Sequence, residues 1–108
     1  MTVLVIDNDL LWHRCVRRHL RHHSVLSAGD PPTALELAKR RHPDVVLLEV
    51  ILGYWNGLDL IRPLREILPE AHIAVVSALP RHDPRWAIGR GADAYGEKAV
   101  VLRRMNLR

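Results

Sequence analysis

Val3-Leu4-Val5-Ile6-Asp7-Asn8-Asp9 is a run of four apolar residues broken by three consecutive polar ones. Continuous β-branched runs of this length suit strands covered on both faces, as in a parallel sheet, because a strand with one wet face would alternate. Two further runs repeat the pattern. Val45-Val46-Leu47-Leu48 ends in Glu49, and Ile73-Ala74-Val75-Val76 ends in Ser77. Val25-Leu26 and Ala94-Tyr95 are shorter strand candidates.

The stretches between these runs have helical spacing. Asp9 can cap a helix over Leu10–Leu20, with Trp12, Cys15, Val16, His19 and Leu20 along one side. Asp30 can cap a second, with Pro31 at its first position, where a missing N–H costs nothing. That helix stops before His42-Pro43. Asn56 or Gly57 opens a third, running to about Leu68, and Pro63 inside it should produce a kink. Asp83-Pro84 opens a fourth, ending near Gly89 or Gly91, and a short last helix starts near Ala99. Five strand–helix alternations predict an α/β fold, a doubly wound parallel sheet of five strands with helices on both faces. In such sheets functional groups collect at the carboxyl ends of the strands. Those positions are Asp7, Asn8, Asp9, Glu49, Ser77 and Lys98.

Composition narrows the class. The chain has 108 residues, 48% of them hydrophobic, which suits one domain, 1–108, with a real core. One cysteine, Cys15, excludes an internal disulfide and is compatible with the cytoplasm, where the chain is expected. No apolar run approaches the roughly 20 residues that span a bilayer. The net charge is +4, and the excess gathers between Trp12 and Ser24 in Arg14, Arg17, Arg18 and Arg21 with four histidines. A solvated helix face explains this run; a docking surface for an acidic protein is the alternative. Nucleic-acid binding is not expected of this domain alone, because no zinc-finger spacing or stacking-aromatic motif accompanies the basic run. The scattered histidines read as surface residues. No phosphate-cradling glycine loop, nucleophile elbow or paired-cysteine site occurs, so no catalytic residues are assigned and the chain is not read as an enzyme.

The segments Val3–Asp9, His42–Val50, Asn56–Leu60, Val75–Ala78 and Gly91–Lys98, in this order and at these intervals, resemble the receiver domain of two-component response regulators. The resemblance spans residues 2 to about 100. It implies a flavodoxin-like (βα)5 fold with, here, a short last helix. It also implies roles. An acidic pair holding magnesium would correspond to Asp7 and Asn8. The phosphoacceptor aspartate is replaced by Glu49. Ser77 and Tyr95 match the switch positions, and Lys98 matches the family's lysine. The family's two prolines near the site are Gly53 and Ala99 here, and Ala99 makes a cis bond after Lys98 improbable.

Two departures bear on function. Glu49 carries its carboxylate one methylene farther than aspartate, and a shift of about 1 Å can cost about a hundredfold in rate. Asn8 removes a charge from a site meant for a hard dication. The expectation is therefore a pseudo-receiver that signals through protein contacts and is not phosphorylated, without a cofactor and with weak magnesium binding at Asp7 and Glu49 at best. Glu49 then acts either as a structural partner of Lys98 or as a partial mimic of a phosphorylated side chain, which carries about −1.5 to −2 charge. Asp9 is read as a helix cap rather than a metal ligand. Tyr95 is a packing aromatic unless the receiver reading holds. The expected partner surface, for a protein or a second copy, is the fourth helix, the fifth strand and the tail, anchored by Trp86, Ile88 and Tyr95. The rival reading is a working phosphoacceptor with magnesium on Asp7, Asp9 and Glu49, and a third is a nucleic-acid-binding module using the basic first helix. Ten residues after Lys98 allow only about 15 Å of helix, so the chain is either a shortened stand-alone domain or cut from a longer regulator.

Overall fold

Each of the five apolar runs becomes a strand of one parallel sheet, in the spatial order Ser24–Ala28, Thr2–Ile6, Val45–Leu48, His72–Ser77 and Ala94–Glu97. The structure is a computed structural model that describes residues 1–78 and 84–101. Along the chain the elements are β1 (Thr2–Ile6), α1 (Leu10–His19), β2 (Ser24–Ala28), α2 (Pro31–Arg41) and β3 (Val45–Leu48). A small hairpin follows, β4 (Ile51–Leu52) and β5 (Trp55–Asn56), then a 3-10 turn (Gly57–Leu60) and α3 (Ile61–Ile67). The chain then forms β6 (His72–Ser77), α4 (Pro84–Ile88) and β7 (Ala94–Glu97). Residues 98–101 are helical.

Period-two geometry divides each strand between two cores. Leu4, Ile6, Val46, Leu48, Ile73 and Val75 face one side with Ala34 and Ala38 of α2, Ile61 and Leu64 of α3, and Ala87 of α4. Val3, Val5 and Val76 face the other with Trp12 and Val16 of α1. Burial on both faces is why the runs lack polar alternation. β1 pairs with β2 on one side and β3 on the other, so the chain reverses its winding there. The crevice opened by that reversal lies beyond Asp7 and Glu49.

The caps follow the sequence. Asp9 accepts a hydrogen bond from Leu11 N at 3.0 Å, and Asp30 accepts one from Thr33 N at 2.9 Å. Pro31 opens α2, and His42 closes it in the left-handed region at φ 45°. Three features depart from expectation. Pro63 does not interrupt a long helix: the chain runs as a 3-10 turn to Leu60 and as an α-helix from Ile61. Pro63 is then the third residue of α3, where a backbone N–H has no intrahelical acceptor. The β4–β5 hairpin was not anticipated, because two-residue strands leave no periodicity to read. Its two-residue loop needs Gly53, at φ 63°, in the first central position. His13, read as a surface residue, is buried on α1. Asp83 and the tail beyond Val101 lie outside the described residues. Among the described residues no helix is long and apolar enough to cross a membrane.

Candidate functional site

The parallel register brings Asp7, Glu49 and Ser77 to one edge: Asp7 and Glu49 follow the paired ends of β1 and β3, and Ser77 ends β6, two residues past the Leu48–Val75 pair. Glu49 N donates to Ile6 O at 3.0 Å, and Asp7 N donates to Ala28 O at 2.9 Å, so both carboxylates leave a backbone still tied to the sheet. All three residues are buried. Lys98, one residue past β7, reaches back into the crevice. Its Nζ lies 2.6 Å from Asp7 Oδ2, 3.3 Å from Glu49 Oε1 and 4.0 Å from Asp9 Oδ2. The ion pair expected between Glu49 and Lys98 is present, and the shorter contact is to Asp7. Trp12, buried on α1, presents its ring 5.3 Å from the same ammonium, a cation–π contact that no motif announces.

Glu49 is held on every side. Oε2 accepts from Val50 N at 2.6 Å and Ile51 N at 3.4 Å. Oε1 accepts from Ala78 N at 3.1 Å in addition to the Lys98 contact. The donors therefore come from the ends of β3, β6 and β7. They form an anion cradle, and the residue's own carboxylate fills it. Backbone donors carry no side-chain signature, so no sequence motif announced them. Gly57 makes the fold-back possible: a Cβ there would stand 1.9 Å from Glu49 O. Only glycine lets the two segments approach while Gly57 N donates to Val50 O at 2.6 Å.

Asp7 is the electrostatically tense member. Burial raises its carboxyl above the ordinary carboxylate range; hydrogen bonds from Lys98 and from Asp9 N oppose the shift, and the Glu49 charge adds to it. Three carboxylates, Asp7, Asp9 and Glu49, share one ammonium. The carboxylate oxygens that a divalent cation would use are engaged within the protein. Asp7 Oδ1 accepts from Asp9 N at 2.9 Å and Oδ2 faces Lys98, both Glu49 oxygens are engaged, and Asn8 supplies an amide where a charge would help. Asp9 caps α1 as read from sequence, and Asn8 is exposed.

The remaining site residues divide. Ser77 is fully buried at the end of β6, next to the Ala78 N–H that serves Glu49. Tyr95 lies opposite Val75, short of the crevice, half-buried against the core beneath α2 and α3. On the surface expected for a partner, Trp86 is 53% and Ile88 47% exposed, while Ala87 between them is buried. The tail of that surface beyond Val101 lies outside the described residues.

A family model described as "Response regulator receiver domain" matches residues 3–107. The chain is 32% identical over 111 residues to the probable transcriptional regulatory protein TcrX of Mycobacterium tuberculosis (strain ATCC 25618 / H37Rv), covering 100% of this chain and 47% of that protein. It is 34% identical over 103 residues to the response regulator MprA of Mycobacterium sp. (strain KMS), covering 93% and 45%. It spans about half the length of these curated relatives. In structure it resembles a response regulator from Burkholderia pseudomallei solved with a phosphorylated aspartic acid, calcium ion and citrate. The TM-score is 0.89 at 29% identity, over 97% of this chain and 64% of that one.

Proposed function

This chain belongs to the response-regulator receiver domains, and on that premise we propose that it is a pseudo-receiver that signals through protein contacts without being phosphorylated. One observation carries the reading: both oxygens of Glu49 are already bound by the cradle that gathers β3, β6 and β7. The Burkholderia relative holds a phosphorylated aspartate and a calcium ion. Here the longer side chain folds its own carboxylate back onto backbone donors, which leaves no free oxygen in line to attack a phosphodonor. Phosphoryl transfer depends on position and electrostatics, and both are altered. Magnesium binding is weak for the same reasons. The single charge of Glu49 fixes the strand ends in one arrangement, so the mimicry of a phosphorylated state is partial and permanent.

The output then runs through a surface outside the crevice. Trp86 and Ile88 of α4 are apolar anchors open to solvent beside β7, and tryptophan is among the residue types most often dominant at interfaces. The partner is a protein or a second copy, and the setting is the cytoplasm. Intact-mass spectra after incubation with acetyl phosphate and magnesium test the reading. The expected spectrum shows no added phosphoryl mass. A stoichiometric adduct would overturn it in favour of a working phosphoacceptor.

A further inference from the structure

On the far side of Asp7 from Lys98, α1 and the end of β2 border an open hollow of about 470 Å³, within the range of small-ligand sites. Leu10, Ala28 and Gly29 form its apolar part, and His13, Arg14, Arg17 and Ser27 its polar part. The polar groups are arranged rather than scattered. Arg17 Nη2 donates to Ser27 Oγ at 2.9 Å, which fixes the guanidinium across the gap between α1 and β2. Ser27 accepts that bond with its oxygen and keeps its own hydroxyl hydrogen to donate. Among the described residues no carboxylate pairs with Arg14 or Arg17. Asp7 also borders the hollow, but its carboxylate oxygens are turned to Lys98 and Asp9 N. His13 is buried, with Nε2 on Asp7 O at 2.5 Å, and its Nδ1 has no hydrogen-bond partner.

We propose that this hollow binds a phosphate monoester, with the phosphate on Arg14, Arg17 and Ser27 and the organic body against Leu10 and the Gly29 backbone. Two unpaired guanidiniums ask for about two negative charges. A phosphate monoester supplies about −1.5 to −2, with three acceptor oxygens in a geometry that guanidinium forks match. A carboxylate supplies one charge. The apolar part of the lining distinguishes an ester from free phosphate, since inorganic phosphate would leave Leu10, 73% exposed, uncovered.

Amide spectra of the 15N-labelled chain, titrated separately with phenyl phosphate, inorganic phosphate and benzoate, test this. Phenyl phosphate should shift Ser27, Ala28 and Gly29 saturably and bind more tightly than either other probe. The crevice amides Val50 and Ala78 should stay in place. The exposed pair Arg14→Gln with Arg17→Gln should weaken binding about tenfold or more, the loss of one or two charge-assisted hydrogen bonds. Ser27→Ala, which leaves both charges, should weaken it less and serves as the readout if the double variant fails to fold. Benzoate binding as tightly as phenyl phosphate, shifts confined to Val50 and Ala78, no saturable shift, or undiminished binding by the variants would each overturn the proposal.

Discussion

At the carboxyl end of the sheet Asp7 meets Lys98 out of water, while at the amino end Asp93 meets Arg65 near the surface. Both ion pairs are 2.6 Å long. Their effects on the carboxyl are opposite. Asp7 is pushed up because burial outweighs its partner. Asp93 is held down, first by the N–H of Ile73, at 2.8 Å, and then by Arg65. Arg65 also donates to Ala71 O at 2.6 Å and Gly91 O at 2.9 Å, so it ties α3 to the starts of β6 and β7. An aspartate paired with a cation at one distance is strained where three carboxylates crowd one ammonium, and relaxed where a guanidinium, water and backbone share the load. Desolvation rather than distance sets the sign.

Lys98→Met should strain the crevice most, because it leaves Asp7 and Glu49 buried together without a cation. The expected loss is about 3–5 kcal/mol, read from the urea midpoint. A loss under about 1 kcal/mol would mean that the crevice is wetter than its burial implies. Arg65→Gln should cost about 1–3 kcal/mol, since carbonyls at the start of β6 and before β7 lose their donor. Its pH dependence should differ in kind. A depressed Asp93 contributes stability above its ordinary value of 3.8 and loses it as pH falls through the lower folded value. That acid-side loss should shrink in the variant, and an unchanged acid limb would remove Arg65 from the account. Asp7→Asn should give the smallest change and the opposite sign. A raised folded value means that stability is highest below 3.8 and falls as pH rises through the folded value. At neutral pH the variant should therefore be more stable than the parent chain, with Lys98 still paired to Glu49, and the gain should vanish below pH 3.8. A loss at neutral pH would reverse the comparison between the two ends.

The crevice was legible in sequence as a set of strand ends, because apolar runs that stop at Asp7, Glu49 and Ser77 must stop on the same edge of a parallel sheet. The Glu49–Lys98 pairing followed from that placement. The tighter Asp7 contact did not, since it depends on how the chain turns after β7. His13 was misread because its burial comes from the neighbouring backbone carbonyl of Asp7, which no helical spacing reveals. Pro63 was misread because a 3-10 start moves the helix boundary by four residues. The Arg65–Asp93 ion pair joins residues 28 apart in sequence, and the carbonyls of Ala71 and Gly91 that Arg65 also holds carry no side-chain signal, so nothing in either segment marks the junction.

The three tryptophans have an optical consequence. Trp12 is sealed in the core with an ammonium over its ring, while Trp55 and Trp86 are about half open to solvent. A collisional quencher such as acrylamide should extinguish the emission of the second pair and spare the first. The residual light would then come from the indole beside Lys98, and its wavelength would register the state of the crevice without a dye or label.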